Sequence, residues 1–421
     1  MIVDCQYLNS TLYLRFQYEH DDRREYTTIE RQHVVMNNNC CFYQLPAGFT
    51  LERIGADRLA LAILLTIYSF VGRSLKLPFE VSDAFREAVR SSIGITIYLR
   101  DDVPQILREV GPDIRPGLDA MHPGLALSMG VDSVAALAIM PEDTIGVFLD
   151  RAFPPAGDRL YKKDHVHTAL ARLKMLKEES RTVYIVKSDM EYLRTPEGFV
   201  IDIGVGIPVI LLAGQLGINS VAYGYSLHNY DHYSSGLVCT GDYCRFEHSQ
   251  WNPVFTAAGL FLNLVTSGLS EMGTQLIAFR SPYAHLASAC MRGAGGQPCL
   301  TCAKCYRKIM VADYIKYGQP DDSRTRYRRL AKTKWHRMNN VFGEFKSEVM
   351  MAFTFMLANY NGRDPFLVQV KRRLDTENPQ RWKQRFKYLE QWFNGADYRV
   401  EPACLSVLKE RLREYRIPLT D

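Results

Sequence analysis

The rhythm of the chain between residues 125 and 226 constrains its fold more than any other feature. Short, continuously apolar strand-like runs alternate with helical segments, the runs at 125–129, 144–150, 182–188 and 220–226 and the helices at 132–140, 165–179 and 207–217. Strands that are apolar along their whole length are typical of parallel sheets that are covered on both faces. This region is therefore predicted to have an α/β fold with a parallel sheet.

The stretch "LALSMGVDSVAALAIM", residues 125–140, joins the first strand to the first helix through a small polar segment. Ligands of parallel sheets bind beyond the carboxyl ends of the strands, where "SMGVDS" lies. Gly130 and the start of the next helix favour an anion, because backbone N–H groups converge there. Ser128 and Ser133 add hydroxyl groups, and Asp132 either caps the helix or holds a Mg²⁺ that phosphates share. The alternative interpretation is a capped helix after a tight turn, without a ligand.

Four cysteines form a second cluster of chemically active side chains. Cys290, Cys299, Cys302 and Cys305 follow the spacing C-x8-C-x2-C-x2-C around a glycine-rich stretch. Four thiolates this close together can complete a tetrahedral, structural Zn²⁺ site, while a [4Fe–4S] cluster and a disulfide remain alternatives. The first residues do not resemble a secretion signal, so we expect a cytoplasmic chain with reduced thiols.

Three regions are predicted along the chain. Residues 1–115 alternate short β-like runs with turn signals around an apolar helix at 59–72, which indicates a small α+β domain suited to partner recognition. A stretch rich in proline and glycine, 110–124, is predicted to link it to the α/β region at 124–316. Residues 320–421 are predicted to be mostly helical.

The second half of the chain gives weaker patterns. Residues 227–252 are polar and aromatic and predict a loop or lid, followed by a helix at 257–273 and a strand at 274–282. The net charge of +5 is too small to indicate a nucleic-acid-binding protein by itself. The basic segment 323–337 leaves RNA binding open, although a solvated helix face or a dock for an acidic partner is the favoured interpretation. The apolar run at 59–72 is too short to span a membrane.

"SMGVDS" resembles the "SGGxDS" loop of the PP-loop ATP pyrophosphatases, with Ser128, Gly130, Asp132 and Ser133 in the matching positions. The resemblance implies a HUP-like nucleotide-binding fold that opens ATP between its α and β phosphates. It implies that all four residues bind ATP with Mg²⁺, and that Asp132 and Ser133 are catalytic. Met129 replaces the first glycine of the motif, and a side chain there is expected to narrow the approach of pyrophosphate.

The loop and the four-cysteine pattern together resemble the 7-cyano-7-deazaguanine synthase (QueC) family over about residues 124–316. The segment "IPVILLAGQLGINSVAYGYSLHNYD" is similar to that family as well. The resemblance implies ATP-dependent adenylation of 7-carboxy-7-deazaguanine, displacement of AMP by ammonia to give an amide, and dehydration of the amide with a second ATP.

The additional regions at both ends resemble the layout of larger QueC-like proteins from bacterial anti-phage operons, the Qat and type IV CBASS systems. This likeness implies that the activated deazaguanine is joined to the N-terminal amine of a partner protein from the same operon. The segments "DRAFPPAGDRLYKKDH" and "FRSPYAHLAS" depart from the QueC pattern, so substrate handling is expected to differ.

Further site residues are predicted at the ends of other strands. Asp150 and Arg151 lie at the end of the second strand, where Arg151 either meets a phosphate or carboxylate or forms a surface ion pair. Gly224 and Tyr225 end the fourth, where the backbone can approach the adenine or the deazaguanine.

The resemblance, together with the loop and the cysteines that carry it, thus implies an ATP-dependent ligase or amidating enzyme that uses ATP, Mg²⁺ and Zn²⁺. Its expected partners are a deazaguanine-type small molecule and an operon-encoded protein. A homodimer stays open, nucleic acid is not favoured and a membrane is not expected. Two rival hypotheses are a PP-loop RNA-modifying or sulfur-transfer enzyme with an iron–sulfur cluster, and a non-catalytic nucleotide-binding scaffold.

Overall fold

The structure is a computed structural model with an α/β fold, built on one large sheet of parallel and antiparallel strands. It describes residues 1–27, 32–102, 121–152, 163–226, 242–287, 303–318, 360–363, 365, 368, 371, 372 and 387–420. Residues 227–241 of the predicted lid, three of the four clustered cysteines and the basic segment 323–337 lie outside the described residues. The rest of the predicted lid, residues 242–252, is helical, so the prediction of a loop is wrong there.

The described strands form a ten-stranded sheet and a three-stranded sheet. Their bounds are β1 Ile2–Leu8, β2 Thr11–Gln17, β3 Glu25–Thr27, β4 His33–Met36, β5 Cys40–Gln44, β6 Ser74–Leu77, β7 Thr96–Leu99, β8 His122–Ala126, β9 Ile145–Arg151, β10 Val183–Ser188, β11 Arg194–Thr195, β12 Ile218–Ala222 and β13 Phe261–Asn263. The large sheet has the order β13-β12-β8-β9-β10-β5-β2-β1-β6-β7, and the small sheet has the order β11-β4-β3.

The described helices cover both faces of the large sheet. Their bounds are α1 Ala56–Ile67, α2 Asp83–Ile93, α3 Val131–Ile139, α4 Lys163–Glu178, α5 Ile207–Leu216, α6 Asp242–Ala257, α7 Glu271–Arg280, α8 Ala303–Tyr317 and α9 Pro402–Glu414. Short 3-10 helices occur at Tyr68–Phe70, Met190–Leu193, Asp202–Gly206, Pro282–His285, Lys387–Glu390 and Asn394–Arg399.

The strands from β13 to β10 run parallel, as the alternation of strands and helices predicts. Successive residues of β9 point to opposite faces: Val147 and Leu149 belong to the apolar cluster that includes α1 and α5, and Phe148 belongs to the cluster that includes α3 and α7. This alternation follows from the two-residue period of a strand. The predicted α/β fold is therefore confirmed, and the large sheet is parallel in most but not all of its pairs.

The N-terminal region extends this sheet. β5 pairs antiparallel with β10, with Lys187 opposite Gln44 and Ser188 opposite Tyr43. β2 and β1 continue the antiparallel part, and β6 and β7 add two parallel strands at the far edge. The predicted apolar helix is α1, all 12 residues of which are buried. Five strands of residues 1–102, β1, β2, β5, β6 and β7, thus share one hydrogen-bonded sheet with the parallel strands, whereas β3 and β4 belong to the small sheet.

Two predicted elements between 257 and 282 are wrong. Gly259, with a φ of +72°, follows the end of α6 and leads into β13, which pairs parallel with β12. The predicted strand is the helix α7, because the Ser270 hydroxyl accepts hydrogen bonds from the N–H groups of Met272 and Gly273 and so caps a helix at this point. A short apolar run does not distinguish the two structures by its period, and the cap decides between them.

The C-terminal segment is joined to the parallel strands by a buried carboxylate. Glu401 accepts hydrogen bonds from the Ser220 hydroxyl at 2.6 Å and the Asn219 side-chain amide at 2.7 Å. α9 also packs on α3. Within the described ranges, no helix combines the length and the apolar character that crossing a membrane requires.

Acid is expected to weaken the fold through His248, a buried residue of α6. Burial, with a smaller contribution from Arg399, lowers the pKa of His248 to about 4. The pKa of a histidine in an unfolded chain is about 6.5. As the pH falls from there towards 4, protons therefore bind the unfolded chain before the folded one. The stability that neutral His248 provides above pH 6.5 should thus decline between about 6.5 and 4, by about 2–3 kcal/mol.

Urea unfolding of the wild type and of His248→Phe across this pH range measures the effect. The phenylalanine variant should lose clearly less stability in acid than the wild type. His285→Asn, at a histidine near the surface, serves as the control and should keep the wild-type slope. Equal slopes for the wild type and His248→Phe would contradict the prediction.

Candidate functional site

The segment between β8 and α3 forms a tight loop at the carboxyl edge of the parallel strands. β8 ends at Ala126, and Gly130 is the N-cap residue of α3 with φ −75° and ψ 164°. No side chain forms a capping hydrogen bond at this helix terminus. The first N–H groups of a helix lack partners within the helix, and together with the helix dipole they favour a negatively charged group.

Two serine side chains hold the loop in shape. The Ser133 hydroxyl donates to the Gly130 carbonyl oxygen at 3.0 Å and accepts from the Ser128 hydroxyl at 3.1 Å. The Ser128 hydroxyl in turn accepts from the Gly130 N–H at 3.3 Å. Ser133 is buried, whereas Ser128 is exposed. Ser133 therefore organises the loop from inside, and Ser128 is the exposed hydroxyl of the loop.

Asp132 is the acidic group of the loop and is half-buried. Its carboxylate accepts a hydrogen bond of 2.5 Å from the hydroxyl of Thr274, a fully buried residue of α7. Asp132 lies inside the first turn of α3, since Gly130 holds the capping position. The interpretation of Asp132 as a helix cap is therefore wrong, and α7 fixes the orientation of its carboxylate.

Met129 adopts a left-handed backbone conformation, with φ 58°. Glycine adopts this conformation without steric cost, which accounts for the glycine that the resembling motif has here. The Met129 side chain is 1% exposed and belongs to the apolar cluster around α3. The Met129 side chain thus lies in the core and not on the exposed side of the loop.

Replacing Met129 by glycine is expected to destabilise the protein by about 2–4 kcal/mol. The substitution relieves about 1–2 kcal/mol of backbone strain, but it removes a buried side chain that contributes about 2–5 kcal/mol and adds flexibility to the unfolded chain. Urea unfolding measures the balance. Met129→Leu, which keeps both the burial and the strain, should stay within about 1.5 kcal/mol of the wild type. A glycine variant more stable than the wild type would show that strain dominates.

Gly224 packs directly against the first turn of α3. A Cβ atom at this position would lie 2.6 Å from the carbonyl carbon and oxygen of Asp132 and 2.7 Å from the Ser133 nitrogen. Only a glycine allows this approach of the two backbones. The predicted site residues Ser128, Gly130, Asp132, Ser133 and Gly224 are therefore close together.

The backbone of Tyr225 is held by a residue that follows β13. The Thr266 hydroxyl donates to the Tyr225 carbonyl oxygen at 2.7 Å, and the Tyr225 ring stacks on Tyr223 at 5.6 Å between ring centroids. The strand β12 itself ends at Ala222, so Gly224 and Tyr225 lie in the following loop. This loop borders the start of α3 through Gly224.

Asp150 and Arg151 end β9, at the same edge of the sheet. Arg151 donates to the Glu191 carboxylate at 2.5 Å, and its guanidinium lies 5.8 Å from the ring centroid of Phe199. Burial raises the pKa of Glu191, and Arg151 acts in the opposite direction. Both side chains of the pair are mostly buried. Arg151 therefore forms an ion pair, as one of the two interpretations predicted, but the pair lies in the interior and not at the surface.

Of the four clustered cysteines, only Cys305 is described. It is buried and lies in the first turn of α8, which packs on α7. Among the described residues, no three histidine, cysteine or acidic side chains are grouped as a metal site would require. Cys290, Cys299 and Cys302 lie outside the described residues, so the zinc site remains a prediction.

Comparison with protein families gives a match over part of the chain. The model of a family of unknown function (DUF6395) matches residues 250–416, less than half of the chain. The matched segment contains α7 with Thr274 but does not include the 128–133 loop. No curated protein and no solved structure matches the sequence.

Proposed function

We propose that this protein is a PP-loop enzyme that uses ATP to activate a carboxylate and transfers the acyl group to an amine. The observation that supports it most directly is the start of α3, an uncapped helix terminus beside a carboxylate that Thr274 orients. A helix terminus of this kind favours phosphate, and an adjacent carboxylate would repel phosphate unless a cation lies between them. Loop and carboxylate together are therefore suited to a magnesium–polyphosphate ligand.

In this proposal the loop binds the β and γ phosphates of ATP. Backbone N–H groups in the first turn of α3 would donate to phosphate oxygens, with the exposed Ser128 hydroxyl beside them. Mg²⁺ prefers hard oxygen donors, which the half-exposed Asp132 carboxylate supplies, and the ion would neutralise charge on the pyrophosphate. Gly224 and Tyr225 offer backbone groups to the adenine or the second substrate.

The proposed reaction has two transfers. A carboxylate oxygen of the substrate attacks the α phosphorus of ATP, and pyrophosphate leaves with the electron pair of the broken P–O bond. An amine then attacks the acyl carbon, AMP leaves, and the amine loses a proton. The resemblance to the QueC family suggests 7-carboxy-7-deazaguanine as the acid, and ammonia or the N-terminal amine of an operon partner as the acceptor. Binding both reactants side by side accelerates the second transfer.

The direct test is incubation of the protein with ATP, Mg²⁺ and 7-carboxy-7-deazaguanine, with and without ammonium. We expect equal amounts of AMP and pyrophosphate, released only when the acid is present. ATP binding without release of AMP would instead support the scaffold hypothesis. Mass spectrometry of a co-expressed neighbour protein identifies the acceptor: an N-terminal adduct of deazaguanine mass supports protein modification, and an unmodified terminus leaves ammonia.

We also propose that the four cysteines bind a structural Zn²⁺. Cys305 would connect this metal to α8 and, through the packing of α8 on α7, to the helix that carries Thr274. Metal analysis should find one zinc per chain in a colourless protein, and Cys302→Ala should lose it. A brown protein that contains iron and sulfide would support the rival hypothesis of a sulfur-transfer or RNA-modifying enzyme.

Thr274 should act as a positioning residue for Asp132. Thr274→Val removes the hydroxyl while keeping the shape, and we expect about a tenfold loss of AMP release with a higher Mg²⁺ concentration for half-maximal rate. Thr274→Ser should restore both the rate and the Mg²⁺ requirement. If Thr274 acted only through the packing of its methyl group, the serine variant would not restore them. Titration of the rate with Mg²⁺ makes the comparison. An unchanged Mg²⁺ requirement in the valine variant would contradict this role.

A further inference from the structure

Arg399 is a fully buried arginine at the end of the 3-10 helix Asn394–Arg399. Its Nε donates to the Tyr398 hydroxyl at 3.0 Å. Both terminal nitrogens, Nη1 and Nη2, are buried without a hydrogen-bond partner in the described part of the chain. A guanidinium is always charged, and burying its donors without partners costs several kcal/mol.

The acidic residues next to Arg399 in the chain are engaged elsewhere. Asp397 accepts from the Trp392 indole N–H at 2.9 Å and pairs with Lys409. Glu401 accepts from Ser220 and Asn219 on β12. Neither carboxylate is left to neutralise Arg399. Among the described residues, the charge around Arg399 is therefore positive, with two parallel N–H donors at the end of the guanidinium.

A third buried nitrogen without a hydrogen-bond partner among the described residues, Nε2 of His248, belongs to a ring that lies beside Tyr398. The ring of His248 meets the ring of Tyr398 edge-on at 5.5 Å between centroids, and the guanidinium carbon of Arg399 lies 5.1 Å from the Tyr398 centroid. His248 is 6% exposed, and its Nε2 is buried without a partner among the described residues. Tyr398 itself is 54% exposed. The tyrosine thus covers two buried nitrogen groups and faces solvent on its outer side.

We infer that Arg399, His248 and Tyr398 form a binding site for a small oxyanion, a carboxylate or phosphate group. Two terminal nitrogens of a guanidinium match two oxygens of such a group. The anion would supply the missing negative charge, and His248 could donate to it once protonated. Rotation of the exposed Tyr398 ring would give the ligand access.

This oxyanion site is separate from the 128–133 loop. The Arg399 carbonyl oxygen accepts from the Leu264 N–H at 2.9 Å, directly after β13 at the edge of the sheet. The loop follows β8, and β12 lies between the two strands. The inference does not depend on the proposed ATP chemistry, since the site has its own donors and would persist in a protein without that activity.

Thermal unfolding in sodium phosphate, sodium sulfate or sodium acetate, each compared with sodium chloride at one ionic strength, tests the inference. We expect a saturating rise of the wild-type unfolding midpoint by about 3–8 °C in at least one of the three salts. The general effect of salt on the midpoint does not saturate and is common to all variants, so comparing the wild type with the variants removes it. Arg399→Met should lose the saturating part, and Arg413→Met, at an exposed arginine of α9, should keep it.

The pattern of anions identifies the ligand group. A larger saturating rise of the midpoint in phosphate and sulfate indicates a phosphate ligand. A larger rise in acetate indicates a carboxylate ligand. If the unfolding midpoints of the wild type and Arg399→Met shifted by the same amount in every salt, the inference would be overturned.

A second measurement covers the case in which Arg399→Met does not fold. NMR titration of the wild-type His248 ring should show its pKa rising from about 4 when the effective anion is added. A histidine pKa that does not respond to any of the three anions would overturn the inference without the variant.

Discussion

Asp132→Asn is expected to lower the rate of AMP release by about 10²–10³-fold, the range found when one group that stabilises transition-state charge is removed. The asparagine keeps the size of the side chain and an oxygen that can accept from Thr274, 2.5 Å away in the wild type. The fold should therefore persist, with a change in unfolding free energy below about 1 kcal/mol. Only the negative charge that would hold Mg²⁺ is lost.

The measurement combines a pyrophosphate-release assay with urea unfolding of the same preparation. Asp143→Asn, at an aspartate that pairs with His122 on the surface, is the matched control and should keep full activity. An Asp132→Asn enzyme with at least half of the wild-type rate would rule out a role for this carboxylate. Loss of ATP binding together with loss of structure would point to a structural role.

The repeating part of the fold could be predicted because each signal is local. A continuously apolar strand followed by a helix requires a neighbour on both faces, and β9 with its alternating Val147, Phe148 and Leu149 meets that requirement. Between 257 and 282 the local signals conflicted. There Gly259 and the Ser270 cap determined the structure, and neither stands out in a sequence rich in small residues.

The candidate site could be predicted only in part. The loop residues follow one another in sequence, so their proximity needs no knowledge of the fold. The partners of these residues come from distant segments: Thr274 reaches Asp132 across 142 positions, and Glu191 meets Arg151 across 40. Single threonine and glutamate residues carry no pattern that marks them as partners. Met129 illustrates the same limit, since its burial depends on where the apolar cluster lies.

Gly224→Ala is expected to impair both stability and activity, because the added methyl group meets backbone atoms rather than flexible side chains. The new Cβ would lie 2.6 Å from the Asp132 carbonyl group, so the start of α3 and the loop after β12 must separate. Overpacking of this kind costs about 1–3 kcal/mol. A displacement of about 1 Å at a reacting centre costs about 10²-fold in rate. AMP release should therefore fall by about two orders of magnitude while most of the protein stays folded.

Gly204→Ala is the matched control. Gly204 is also buried, but a methyl group added there would find its nearest neighbours at 3.6 Å, ordinary contact distance, so stability and activity should stay near the wild-type values. The two variants differ in what the methyl group touches. If Gly224→Ala released AMP at the wild-type rate, the contact between this loop and α3 would not matter for the position of Asp132, and the phosphate site would have to be sought at another strand end.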